Sequence, residues 1–225
     1  WMIGFLGNST PDRVERNCRS TAALTAHVMD AYDILRNEAD LGDLIHYNGG
    51  LKVYESEASF NAGAFECRMF DLCDCPYEVL NQDELRQLEP NLAPIFSHGV
   101  FLNTSRGIRN PGRFVDVLAG EVLARGGIHK RETVQSVAFD AENRPCVITD
   151  NGSHETDMVV LAAGARSGGL AKQLGARVCL DAERGYHIMM ATPEKTLTRY
   201  VQFSDRRFSL VPQEEGMRLT SIVEL

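Results

Sequence analysis

Two short runs carry residue types that could do chemistry. In Met158-Val-Val-Leu-Ala-Ala-Gly-Ala165 an apolar stretch gives way to small residues. Small side chains and a glycine let a ligand come close to bare main chain, and the start of a following helix favours a pyrophosphate. The second run is Arg184-Gly185-Tyr186-His187. Gly185 can admit a close ligand, Tyr186 offers an apolar ring with one hydroxyl, and His187 supplies an imidazole, a group able to take or give a proton. Neighbouring side chains of a strand point to opposite faces, so Tyr186 and His187 cannot both line one cavity directly. Other chemistries find no support. His27, His46, His98, His129 and His154 lack metal-ligand spacing, and Cys73-Asp-Cys75 lacks matching partners. There is no serine-nucleophile motif.

The elements that must position these runs follow from periodicity and punctuation. Thr10-Pro11 reads as a cap with proline at the first helical position. Val14, Cys18, Ala22, Val28, Met29, Tyr32 and Leu35 then recur at helical spacing, which predicts one helix over residues 11–37. Residues 51–55 alternate as a strand, 57–73 read as a second helix, 77–80 as a short strand and 82–89 as a short acidic helix stopped by Pro90. A strand at 99–102 precedes a helix opened by Asn110-Pro111 and ended by Gly126-Gly127. Residues 133–140 and 145–149 pair about a turn, and Asp150-Asn-Gly152 is a second hairpin signal. Residues 155–161 follow, and the continuous apolar run from Met158 predicts a buried parallel strand. A helix over 167–175 and strands over 179–191, 199–203, 208–212 and 218–224 complete the chain. The order suggests an antiparallel, strand-rich module split around a βαβ-type module.

Composition sets the bounds. The 225 residues fit one large domain or two small ones, and 44% apolar residues are enough for a core. A net charge of −8 argues against a nucleic-acid surface, which needs clustered Lys and Arg. No stretch approaches the roughly 18 apolar residues of a membrane span. The six cysteines, Cys18, Cys67, Cys73, Cys75, Cys146 and Cys179, contain no C-x-x-C pair and read as reduced core residues of a cytoplasmic protein. A Gly-x-Gly-x-x-Gly appears nowhere, and the chain reads as the interior of a longer protein.

Three segments in order carry a resemblance: Thr133-Val-Gln-Ser-Val-Ala-Phe-Asp140, Val147-Ile-Thr-Asp-Asn-Gly152 and Asp157-Met-Val-Val-Leu-Ala-Ala-Gly-Ala165. With Gly107-Ile-Arg-Asn-Pro-Gly-Arg-Phe114, Leu170-Ala-Lys-Gln-Leu-Gly175, Arg184-Gly-Tyr-His187 and Leu210-Val-Pro-Gln-Glu-Glu-Gly216, the chain resembles the middle of FAD-dependent oxidoreductases of the D-amino-acid oxidase superfamily. The likeness covers almost all of residues 10–225 and is nearest to bacterial D-amino-acid dehydrogenases. It implies an α/β and α+β fold: a partial Rossmann-like FAD-binding module (1–48 and 103–178) interleaved with an antiparallel-sheet substrate domain (49–102 and 179–225).

The resemblance implies FAD as cofactor, with Val134 placing its backbone at the adenine, Ala162, Ala163 and Gly164 forming the turn against the cofactor, and Arg166 just after it. The family's diphosphate loop lies upstream of these residues, so the isolated chain is not expected to retain FAD. Arg184, Tyr186 and His187 are the substrate candidates. An arginine can hold a substrate carboxylate through two parallel donors, and Arg106, Arg109 and Arg184 are the candidates for that role. The implied reaction is oxidative deamination of a D-amino acid, with a quinone or another carrier taking the electrons, in the cytoplasm or peripheral to the inner membrane. Glycine- or sarcosine-oxidase-like amine oxidation is the alternative within enzymes; a non-catalytic module without cofactor is the alternative of another class.

Overall fold

The computed structural model describes residues 2–178, 180, 182–191 and 196–224. Helix α1 (Met2–Asn8) precedes α2 (Pro11–Thr25), which starts behind Thr10 in extended backbone as the Thr-Pro pair requires. The single helix expected over 11–37 is two. Helix α2 stops at Thr25, His27 leaves helical geometry at φ −103° and ψ 8°, and α3 (Val28–Glu38) starts afresh. Residues 23–28, on both sides of the break, are all exposed, so no burial holds the helical register there.

Strands β1 (Ile45–His46) and β2 (Gly50–Tyr54) follow. The helix expected over 57–73 is α4 (Glu57–Ala62) and α5 (Ala64–Leu72), parted at Gly63. A Cβ on Gly63 would stand 2.9 Å from the Tyr54 hydroxyl, so the junction needs glycine. Strand β3 (Glu78–Asn81) runs into α6 (Gln82–Leu88), where Asn81 and Glu84 form a reciprocal capping box. Then come β4 (His98–Leu102), β5 (Gly107–Ile108), α7 (Pro111–Ala124), β6 (Val134–Phe139), β7 (Pro145–Thr149), β8 (Gly152–Glu155), α8 (Ser167–Gln173), β9 (Arg184–Met190), β10 (Tyr200–Phe203), β11 (Phe208–Gln213) and β12 (Gly216–Glu224).

The chain divides into two compact units, one of residues 1–121 with 185–222 and one of residues 122–184 with 223–225. The division of compactness therefore runs along different lines from the functional division inferred above.

The first unit is built on a seven-stranded sheet in the order β3-β4-β2-β10-β11-β12-β9. Strands β2 and β10 pair in parallel, with Val201 opposite Leu51; β3–β4, β4–β2, β10–β11 and β11–β12 are antiparallel. One face is the core: Leu51, Val53, Val201, Phe203 and Met217 cluster with Leu85 of α6 and with Leu92 and Phe96. A Cβ on Gly99 would fall 2.5 Å from Leu85, so glycine lets α6 lie close to β4. Register and alternation place a polar set on the other face. Lys52, Gln202, Ser209 and Thr220 form one row across four strands, and Gly50, Tyr200, Val211 and Arg218 form the next. A smaller cluster joins Ala39, Leu41, Leu44 and Ile45 to Phe114 of α7.

The second unit carries the antiparallel sheet β6-β7-β8. Its last hairpin turns through Asp150-Asn151 and closes on Gly152, which pairs with Thr149 and has φ +136°. Helix α8 lies on β6, buries Ala171, and donates from Gln173 Nε2 to the Gln135 carbonyl at 3.3 Å. The strand expected over 155–161 is displaced to Gly152–Glu155, and the run from Met158 is neither a strand nor buried: Met158 is 77% and Val160 82% exposed. A parallel strand needs paired neighbours on both sides, and the described residues supply none. Cys18, Cys67, Cys73, Cys75 and Cys146 are free thiols of intermediate exposure, less buried than expected; Cys179 and the start of the strand expected from it lie outside the described residues.

Candidate functional site

The residues expected to meet a cofactor all lie in the second unit. Val134 opens β6, opposite Thr149, with its side chain partly exposed. Ala162 and Ala163 are exposed and lead into a single 3-10 turn, Gly164–Arg166, after which α8 begins. Gly164 has φ +55°, the left-handed conformation that favours glycine. A Cβ on Gly164 would meet nothing within 4 Å, and the same holds at Gly168 and Gly169. The main chain at Gly164, Gly168 and Gly169 therefore faces open space, with Ala165, Arg166 and Ser167 between. That fits the approach of a dinucleotide to bare backbone. Because α8 packs on β6, the sheet and the turn belong to one local scaffold.

The hairpin sheet holds a polar cluster of its own. Glu132 accepts from Thr149 Oγ1 at 2.7 Å and contacts His154 Nε2 at 2.6 Å, while Lys130 Nζ lies 3.2 Å from His154 Nδ1. Hydrogen bonds from His154 first, then Thr149, hold the Glu132 carboxyl below the usual carboxylate range. This pins β8 to the segment before β6.

The expected substrate residues stand on β9, where Gly185, Tyr186 and His187 are all exposed. Arg184 pairs with Glu224 at 3.2 Å. The other arginines weighed for a carboxylate are also engaged. Arg109 pairs with Asp43. Arg106 donates to the carbonyls of Asn103 and Ser105 at 3.1 Å and stacks over Tyr47 at 4.7 Å.

The sequence reading missed a cavity of about 160 Å³ in the first unit. Its walls include His46, the Asn48–Gly50 turn, Arg106, Tyr200 and Val211. Burial first, then the positive Arg109, push the His46 imidazole below its usual value, with Asp43 opposing. The Tyr200 hydroxyl shares a 2.9 Å hydrogen bond with Ser209 on the polar face. The wall is fixed from behind. Arg199 donates to the Asn48 carbonyl at 2.7 Å, the Leu88 carbonyl at 3.1 Å and the Glu89 carboxylate at 3.3 Å, and Glu89 also accepts from the Thr198 hydroxyl at 2.7 Å. Periodicity could mark Glu89 only as the end of an acidic helix, because its partners lie about 110 residues away.

Comparison with known proteins bears on the whole arrangement. A family profile described as DAO, FAD dependent oxidoreductase, matches residues 4–222. A D-amino-acid oxidase from Bradyrhizobium diazoefficiens is 30% identical over 226 residues, covering 100% of this chain and 53% of the relative. A D-amino acid dehydrogenase from Sinorhizobium medicae is 23% identical, covering 97% and 53%. Among solved structures, glycine oxidase from Geobacillus kaustophilus superposes with a TM-score of 0.72 at 18% identity, over 96% of this chain and 57% of that one, a likeness of fold. The chain spans about half the length of the curated relatives it matches.

Proposed function

The chain belongs to the DAO family of FAD-dependent oxidoreductases, and we propose that the protein containing it oxidises the Cα–N bond of a D-amino acid. The observation that carries this reading is the family match, which runs through both the open Gly164 turn and the polar face of the large sheet. The similarity to proteins named D-amino-acid oxidase and D-amino acid dehydrogenase supports the substrate class.

In this reading Val134, Ala162, Ala163, Gly164 and Arg166 hold FAD, and residues 1–48 and 103–178 serve the cofactor while 49–102 and 179–225 serve the substrate. The flavin, when bound, supplies the two-electron acceptor for an amino acid whose imino product water hydrolyses to an oxo acid and ammonia. The chain's own groups bind, orient and shield. The turn leaves the main chain open at Gly164. Tyr186 presents its ring and hydroxyl from the exposed face of β9, with His187 on the other side of the strand. The neutral His46 imidazole can accept or give one proton at the cavity wall. Arg184 reaches substrate only by exchanging Glu224 for it.

The electrons pass to a quinone or a similar carrier. No helix of the described residues is long and apolar enough to cross a membrane. We place the protein in the cytoplasm or against the inner-membrane surface, where a quinone is within reach. The test uses the whole protein: purification with flavin absorbance, and reduction of an acceptor dye by D- but not L-amino acids. A colourless protein, or one indifferent to amino acids, sinks the reading.

A further inference from the structure

Cys73-Asp74-Cys75 stands apart from the cofactor turn and from β9, at the point where α5 ends and the chain reverses. One acceptor fixes the reversal. The Phe70 carbonyl accepts from the Cys73 amide at 3.1 Å and from the Cys75 amide at 2.9 Å, and Asp74 between them sits at φ +52°. Pro76 then restricts Cys75 to extended backbone. Burial alternates through the turn: Cys73 and Cys75 are half-buried and Asp74 is exposed, so the turn keeps both thiols inward and the carboxylate in water. Both thiols are free. Consecutive Cα atoms are about 3.8 Å apart, so a reversed Cys-x-Cys falls within the roughly 4.4–6.8 Å between Cα atoms that a disulfide spans. Burial first, then Cys73 beside it, push the Cys75 thiol up, as expected of two sulfurs that repel as thiolates.

We propose that Cys73 and Cys75 are a redox-active dithiol, a site of covalent modification that closes to a disulfide by exchange with a low-molecular-weight disulfide such as oxidised glutathione. One thiolate of the pair attacks a sulfur of the external disulfide, leaving a mixed disulfide on the protein and one external thiolate. The second protein thiol loses its proton and displaces the other external thiolate. One S–S bond forms in the protein as one breaks outside it. The protein gives up two electrons and two protons, and the external disulfide becomes two thiols. The site goes beyond the amino-acid reading and stands or falls without it.

The experiment equilibrates the whole protein with mixtures of reduced and oxidised glutathione, blocks the remaining thiols with iodoacetamide and digests with trypsin. Cleavage after Arg68 and Arg86 puts both cysteines, and no other, on the peptide 69–86. Closure leaves this peptide unalkylated and about two mass units lighter than the dithiol. At one glutathione ratio, the disulfide-to-dithiol ratio of the peptide is expected to be about tenfold higher in the folded protein than in urea, because the turn holds the two thiols together. Cys73→Ser and Cys75→Ser, which cannot close, supply the mass references, and the wild-type measurement decides even where a variant fails to fold. Four results overturn the proposal. They are full alkylation of the peptide in excess oxidised glutathione, glutathione adducts in place of the internal bond, a bridge from Cys73 or Cys75 to another cysteine, and a ratio no higher in the folded protein than in urea.

Discussion

The two sheets of this chain differ in what they keep inside. The seven-stranded sheet encloses its own core, with Val53 and Val201 wholly buried and Leu51 and Leu85 nearly so. Among the described residues of the second unit only Thr149 and Ala171 are buried, while Ile128, Met158 and Val160 stand in solvent. The first can draw its stability from burial, at roughly 25 cal/mol per Å² of apolar surface. The second leans on hairpin turns, the Glu132–His154–Thr149 cluster and one helix contact, and leaves main chain open at Gly164. A region that encloses its apolar residues and a region that leaves them and its main chain open are built by opposite rules. The residues of the open one are conspicuous in sequence for being small or apolar without being covered.

Four substitutions or conditions press on that contrast. The largest effect is expected from Glu89→Ala, which leaves the Arg199 guanidinium buried without its carboxylate and costs about 3–5 kcal/mol. Urea unfolding of the purified protein measures it, and a loss under about 1 kcal/mol would show that the first unit does not depend on its buried network. Gly164→Val comes next. Holding a β-branched residue at φ +55° costs about 1–2 kcal/mol, and the side chain fills the open surface, so the whole protein loses its flavin colour. Full cofactor content with intact stability would break the reading of that turn as an approach surface. Val160→Ser in the 225-residue chain changes stability by less than about 0.5 kcal/mol, because the side chain is already in water; a clear loss of Tm would mean that the run is covered after all. The smallest effect is a slope with pH. The folded His46 imidazole titrates below its ordinary value of 6.5, so the unfolded state takes the proton first. Stability is full above that value and falls as the pH drops toward the lowered one. His46→Gln flattens the slope in a pH series of denaturation curves.

Much of the scaffold was legible because it is local. Alternation at 51–54 and 134–139 marks β2 and β6, Asn110-Pro111 marks a helix start, and Asp150-Asn-Gly152 marks a turn. The helix break at 26–27 was not legible, since the apolar spacing runs on through it. The run from Met158 misled for a different reason: composition records that residues could be buried, and burial needs a neighbour that these residues do not contain. The cavity and polar face were beyond any local reading. Lys52, Gln202, Ser209 and Thr220 come from four strands and meet only through register. The three arginines proposed from sequence turned out to be spoken for, two by Asp43 and Glu224 and one by carbonyls and a ring.

The parallel pairing of β2 with β10 also sets a schedule. Residues 50–53 find their partners at 200–203, so on the ribosome β2 waits while about 150 further residues are made, roughly eight to thirty seconds at ordinary synthesis rates. During that interval β2, with Leu51 and Val53, can pair with β4 on one edge while the edge meant for β10 stays unpaired. Unpaired apolar edges invite association with other chains. Slower translation past residue 100 should therefore lower the yield of soluble protein, and a chaperone that shields nascent strands should restore it.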